Sequence, residues 1–455
     1  MEAEETRVRV MTENRDRMAA YKTLEAVFKS DAYSNIALNF NTDRDKVTNP
    51  AFVREIVYGV IKYRKILDFY IDQLVRDGVK SVKRDILILL EMGVYQILFM
   101  DSVPDHSAVD ESVKIAKEIT RGKSGFVNGV LRNFLRKRDE LKTPESIRDR
   151  FKRISTMYSC DETIARLLVD QYGEDNACAI FKESLMTPPL FVHVNTLKTD
   201  IKTLSAKLSE YLTDDEDFDG LPVLEVKGSR ILETDAFKDG KFFIQDISSV
   251  NAIRHFDPEA GETLIDVCSA PGGKSMAMAC QMENKGTIHC FDLHENRLRP
   301  VEKTAKKLGI TIIDTCPHDA TQVFDKYIGK ADKVICDVPC SGLGVMRRKP
   351  EIRYKKFDKD LDRLYKTQYR ILETSSEYVK AGGKLMYSTC SINRKENEEI
   401  TSKFLKEHED FVVTDSYLTL PGAGNVSMYD TASPQPDCMD GADGFYYCIM
   451  ERKRI

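Results

Sequence analysis

The sequence predicts an α/β protein: a doubly wound, mostly parallel sheet in the C-terminal part, preceded by an all-α bundle and a small α/β linking module. Three observations carry this. From Thr263 an apolar run breaks at Pro271-Gly272-Gly273 and passes into a helix-compatible segment, Lys274 to Gln281. That strand, glycine turn and helix open a doubly wound sheet, and ligands sit at the carboxyl ends of its strands. Four more strand-like runs follow, each ending in a polar or reactive residue. The first 145 or so residues, by contrast, space their apolar positions as helices do and show no strand alternation.

Length and composition set the limits. A chain of 455 residues suggests two to four domains, and the reading places them at 1–145, 146–240 and 241–455. Hydrophobic content of 42% is ordinary for a globular core. A net charge of -5 gives no overall sign of a polyanion partner, so any nucleic-acid surface must come from local clustering. No apolar run is long enough to span a membrane, and the acidic start Met1-Glu2-Ala3-Glu4-Glu5 is unlike a signal peptide. Eleven cysteines without C-x-x-C spacing argue against zinc or another metal and for reduced thiols in the cytoplasm. The expectation is a monomer with no membrane association and no obligate protein partner.

In the first region, Met18 to Lys29, Phe52 to Leu74 and Asp85 to Met100 carry apolar residues at helical spacing. Asn49-Pro50 and Val103-Pro104 are breaks. Ser107 is expected to cap a helix from Ala108 to Ile119, and the product is a helical bundle. Its end is basic: between Arg121 and Arg153 lie Lys123, Arg132, Arg136, Arg138 and Arg150 among other cations. Such a run is either a solvated helix face or a phosphate-backbone footprint.

In the linking region, Thr187-Pro188-Pro189 marks a break. Leu190 to Thr196 reads as a strand, Asp200 to Tyr211 as a helix capped near Thr199 or Asp200, 214–219 as an acidic loop, and Leu224 to Lys227 as a further strand. Phe191 is as suited to a core as to stacking on RNA.

In the last region the strands are Leu264 to Cys268, Thr287 to Asp292, Thr311 to Thr315, Lys333 to Asp337 and Lys384 to Ser388. A helix from Lys359 to Val379 precedes the fifth, and Gly444 to Met450 suits a last strand. Asp292 stands where an acid receives ribose hydroxyls, and Asp319 follows the third strand. Singly, each Asp is as well explained as a helix cap or turn former. Between the fourth and fifth strands, 347–356 holds six basic residues and one acidic in ten, which points to a polyanionic substrate near the strand ends.

Cys268, Cys290 and Cys336 fit small core residues. Cys340 and Cys390 follow strands at the ligand-binding edge, where a helix N-terminus can lower a thiol pKa. A thiolate there suits activation of a pyrimidine. Carbon 5 of cytosine is a poor nucleophile until a thiolate adds to carbon 6. Asp337 beside it could hold the exocyclic amine and ring nitrogen 3, and a second thiol could assist product release.

These residues resemble the RNA 5-methylcytosine methyltransferase family, of the bacterial 16S ribosomal RNA methyltransferase B type (the Sun or Fmu-like enzymes). The resemblance covers the whole chain. It implies a Rossmann-like domain using S-adenosylmethionine to methylate a cytosine in 16S ribosomal RNA. It also implies that Cys268, Ser269, Ala270, Pro271, Gly272, Gly273 and Lys274 hold the cofactor. Asp292 resembles the ribose-binding acid, Asp319 the one near the adenine, and Asp337 and Cys340 the Asp-x-Pro-Cys segment. The family's Thr-Cys thiol is the nucleophile, which implies Cys390, with Cys340 helping release. Residue type alone would not decide between the two, since DNA cytosine methyltransferases use a Pro-Cys thiol. The helical N-terminal region is similar to the RNA-binding factor NusB. Val338 replaces a commoner Ala, and His193 a commoner Arg. Two other classes compete: a non-catalytic RNA-binding or assembly factor built on the bundle, and a nucleotide-dependent oxidoreductase. The oxidoreductase reading leaves both strand-end cysteines without a task.

Overall fold

The computed structural model describes residues 2–30, 32–213, 218, 220–355, 360–426 and 441–454. They form two compact units, one of Met1–Leu185 with Arg348–Lys356, the other of Met186–Arg347 with Phe357–Ile455. Among the described residues no helix is long and apolar enough to cross a membrane.

The first unit is helical: α1 (Glu2–Ser30), α2 (Ser34–Asp45), α3 (Pro50–Asp72), α4 (Arg84–Phe99), α5 (Asp105–Ile119), α6 (Ser124–Lys137), α7 (Arg150–Met157), α8 (Glu162–Tyr172) and α9 (Glu174–Leu185). Asn49 caps α3 by accepting from Phe52 N at 3.0 Å, with Pro50 in the first turn where its missing N–H costs nothing. Every residue of α4 from Ile86 to Ile97 is buried, as expected of a helix apolar on nearly all sides. A Cβ on Gly59 would stand 1.9 Å from the Tyr95 ring, so glycine sets the approach of α3 to α4. Two expectations change. α5 starts at Asp105 behind Pro104, so Ser107 lies inside its first turn and is not the cap. The helical unit also runs on through α7–α9, past the boundary expected near 145.

The second unit opens with a small antiparallel sheet in the order β2-β1-β3, formed by β1 (Leu190–Val194), β2 (Val223–Val226) and β3 (Phe242–Ile244). Between β1 and β2 lies α10 (Ile201–Lys207), capped by Asp200, which accepts from Thr203 N at 2.9 Å. The acidic run at 214–219 falls mostly outside the described residues.

After α11 (Asp235–Lys238) and α12 (Ile247–Phe256) comes the large sheet. Its strands are β4 (Thr263–Asp266), β5 (Thr287–Asp292), β6 (Ile313–Pro317), β7 (Ala331–Asp337), β8 (Val379–Thr389), β9 (Phe411–Leu420), β10 (Gly424–Val426) and β11 (Phe445–Arg452). The crossover helices are α13 (Gly273–Gln281), α14 (Glu295–Leu308), α15 (Asp360–Ser376) and α16 (Glu398–Glu407). The order is β10-β9-β11-β8-β7-β4-β5-β6, with β4 to β8 parallel and β11 antiparallel to both its neighbours. This is the expected mostly parallel, Rossmann-like sheet. Strand order reverses between β4 and β7, and the crevice at such a switch point is where ligands bind.

Candidate active site

Register brings the site together. Asp337 on β7 pairs with Ser388 on β8, so the loops leaving these strands start side by side. The Cys340 and Cys390 sulfurs stand 3.1 Å apart, well beyond the ~2.05 Å of a disulfide. Gly344 N donates to Cys390 O at 3.0 Å. A Cβ on Gly344 would come within 2.0 Å of Gly444 O, so only glycine allows this approach.

Asp337 is fixed from two sides. Lys274 Nζ donates to its Oδ2 at 2.7 Å and Ser388 Oγ to its Oδ1 at 2.9 Å. Burial pulls the Lys274 amine down, but the Asp337 charge and hydrogen bond, with the nearby Cys390 and Asp266, carry it above its usual value. Lys274 therefore stays a cation between the glycine loop and the cysteine loops. Its ammonium also lies 4.9 Å from the centre of the Phe445 ring. Cys340 is held well above the usual thiol range, first by its hydrogen bond to Cys390, then by burial and the carboxylates of Glu396 and Asp337.

Glu396 organises both cysteine loops, a role the sequence reading missed. Its buried carboxylate accepts from Ser341 N at 2.7 Å, Ser341 Oγ at 2.5 Å, Ser391 Oγ at 2.8 Å and Gln368 Nε2 at 3.1 Å. In the sequence it sits in a charged run, Asn393-Arg394-Lys395-Glu396, that reads as exposed.

The glycine loop leaves β4 beside this cluster. Asp266 is buried, accepts from Ser275 Oγ at 2.6 Å, and is pushed up to about 7 by that burial. Cys268 lies just past β4, not within it, and burial raises its thiol far above the reactive range. Ser269 N and Oγ both bond Phe291 O. Ala270 and Pro271 form the turn, joined by a cis peptide bond. Gly272 has φ +106, a conformation that needs glycine, and a Cβ there would press on Val301 and Met276. Gly273 opens α13. At the neighbouring strand ends, Asp292 is buried and bound by Arg297 at 3.1 Å. Asp319 is exposed and accepts from Thr321 N and Oγ1, which holds its carboxyl below the usual range. A further residue at this loop, Gln245, was not singled out by the sequence. It is buried, and its Nε2 lacks a hydrogen-bond partner.

The basic segment 347–356 is not the open polyanion surface expected. Arg347 is buried and its Nε donates to Asp443 at 2.7 Å; it also bonds Gly441 O. Arg353, within the helical unit, is fully buried and donates to Tyr158 O at 2.8 Å, Ser184 O at 2.9 Å and Ser184 Oγ at 2.5 Å. Both arginines build the fold, while Lys349 and Lys355 remain exposed. The earlier basic run behaves differently: Arg121, Lys123, Arg132, Arg136 and Lys137 are all exposed, on α6 or just before it.

Comparison with known proteins adds to this geometry. Residues 253–451 match the family model described as 16S rRNA methyltransferase RsmB/F, and 14–136 match that of the NusB family. A protein of Bacillus subtilis named probable ribosomal RNA small subunit methyltransferase B is 34% identical, over 94% of this chain and 98% of its own. One of the same name from Synechocystis is 32% identical over 87% and 90%. Among solved structures, the crystal structure of PH0851 superposes with a TM-score of 0.78 at 23% identity, covering 96% of this chain and 99% of that one. NSun6 from Pyrococcus horikoshii with SFG gives 0.55 at 20% identity, over 64% and 98%.

Proposed function

The chain belongs to the 16S rRNA methyltransferase RsmB/F family, and from that premise we propose that its site methylates carbon 5 of a cytosine through a covalent cysteine–cytosine intermediate. It is an enzyme, a ribosomal RNA methyltransferase that uses S-adenosylmethionine. The substrate we assign is the small-subunit 16S RNA.

The residues present fit the methyl donor. The space above Gly273 is open, since a Cβ there would meet a single heavy atom within 4 Å. Amides at the start of α13 face it. The Cys268–Lys274 loop and Asp337 would hold the donor's amino-acid end, Asp292 its ribose and Asp319 its adenine. Bound there, S-adenosylmethionine supplies an electrophilic methyl group.

The observation that carries the chemistry is the Cys340–Cys390 pair beside Asp337. With the target base out of its stack, Cys390 adds as a thiolate to carbon 6. The new S–C bond pushes the ring's π pair toward carbon 5, which becomes the nucleophile. Asp337 faces the exocyclic amine and ring nitrogen 3, with Lys274 balancing its charge. Before addition the proton stays on Cys340 because a charged neighbour accepts it. Once Cys390 is bonded to carbon that charge is gone, and the half-buried Cys340 thiol releases its own proton to water and becomes a thiolate. Once carbon 5 carries the donor's methyl group, Cys340, as a base, would take the carbon-5 proton. The freed C–H pair remakes the ring double bond, and the S–C bond breaks to expel Cys390 as thiolate. The exposed cations around α6 supply a phosphate-binding surface for the RNA. Bisulfite sequencing of 16S RNA from cells with and without this protein tests the reading. One cytosine should lose protection when the protein is absent, and unchanged protection everywhere would refute it.

A further inference from the structure

Gln245 follows β3, and its backbone N donates to Phe191 O at 3.3 Å. Its side chain is 6% exposed. The carbonyl end is occupied, since Gln245 Oε1 lies 2.8 Å from His193 Nδ1. His193 is itself buried, stacked on Phe243 with ring centres 4.7 Å apart, and burial pulls its pKa down to about 4. The imidazole is therefore neutral, its Nδ1–H donates to Gln245, and the amide is oriented with its NH2 pointing away. That NH2 has no partner, although buried donors are nearly always satisfied. It stands over the donor loop: a Cβ on Gly273 would meet Gln245 Nε2 at 3.9 Å and nothing else within 4 Å.

Two sets of donors thus converge above Gly273, the Gln245 amide and the first amides of α13. Both favour negative charge. In S-adenosylmethionine the sulfonium and the amine are cationic, and the carboxylate is the anionic group. We propose that Gln245, oriented by His193, binds the carboxylate of the methyl donor's amino-acid end. The inference rests on the methyltransferase reading above. It gives His193 the task of orienting the amide.

The test is calorimetric titration of the intact protein with two probes, S-adenosylhomocysteine and 5′-methylthioadenosine. The second keeps the nucleoside and thioether and lacks the amino-acid end. Gln245→Leu should weaken S-adenosylhomocysteine by roughly tenfold or more, the size expected for a hydrogen bond to a charged group, and leave methylthioadenosine unchanged. Gln245→Glu, which sets a carboxylate against a carboxylate, should show the same selective loss, larger. Equal weakening of both probes would make Gln245 merely structural and overturn the proposal, as would no weakening. A loss confined to RNA affinity would assign the amide to a phosphate and overturn it too. If the unaltered protein bound neither probe, the methyltransferase reading itself would fall.

Discussion

The sulfur atoms of Cys340 and Cys390 stand 3.1 Å apart, on loops that leave two parallel strands in matched register. At that distance the two thiols are within hydrogen-bond reach of each other. In the proposed reaction one sulfur attacks the base and the other takes a proton once the first has bonded.

Cys390→Ala should abolish methyl transfer while S-adenosylhomocysteine binding stays within about twofold. Cys340→Ala should still form the bond to RNA and fail to release it. The check is a denaturing gel, where a slow RNA–protein band should build up with turnover in the Cys340 variant alone.

Glu396→Gln replaces an acceptor of five hydrogen bonds, counting that from Asn393 Nδ2, by a group that must donate at one end. The loops of Ser341 and Ser391 then lose their common anchor. Stability should fall by about 1–3 kcal/mol in chemical denaturation. Methyl transfer should fall tenfold or more with the affinity for S-adenosylhomocysteine unchanged, which separates loop positioning from donor binding.

Arg353→Ala should destabilise the helical unit by about 3 kcal/mol, because it removes the guanidinium that donates to Tyr158 O, Ser184 O and Ser184 Oγ. Arg347→Ala should destabilise the second unit similarly by removing one side of a buried ion pair with Asp443. Lys349→Ala should leave stability within about 0.5 kcal/mol. Urea titrations of the three variants check this.

These arginines show where the sequence stops being readable. A run of six cations in ten residues looks the same whether it faces water or is threaded among carbonyls. The partners of Arg353 lie at Tyr158 and Ser184, far off along the chain. Glu396 was hidden likewise, because burial of a charge depends on the distant Ser341 and Gln368. The strand ends were legible for the opposite reason. Strands β4, β5 and β7 are local, largely apolar runs that end at an aspartate, so β5 and the residue it delivers could be placed from the chain alone. Helices α7–α9 belong with the bundle through contacts distant in sequence, such as Arg353 with Tyr158 and Ser184, which local spacing near residue 145 does not reveal.

Asp266 gives stability a pH signature. Its folded pKa, about 7, lies above the ordinary carboxyl value because the group is buried. The folded state therefore holds a proton that the unfolded chain releases near pH 4. The contribution is fully present below pH 4 and is lost as pH rises toward 7. Asp266→Asn, which does not titrate, should lack this loss. Its stability relative to the parent should rise by a few kcal/mol between pH 4 and 7 in denaturant titrations, and stay level above that.

The central claim is that Cys390 is the atom that bonds the base. The most direct measurement uses 16S RNA transcribed with 5-fluorocytidine, incubated with the protein and S-adenosylmethionine. Fluorine on carbon 5 cannot leave as a proton does, so the adduct should be trapped. After nuclease and protease digestion, mass spectrometry should find a methylated fluoropyrimidine nucleotide on the peptide carrying Cys390. The same mass on Cys340, or no adduct at all under conditions where ordinary RNA is methylated, would contradict the account.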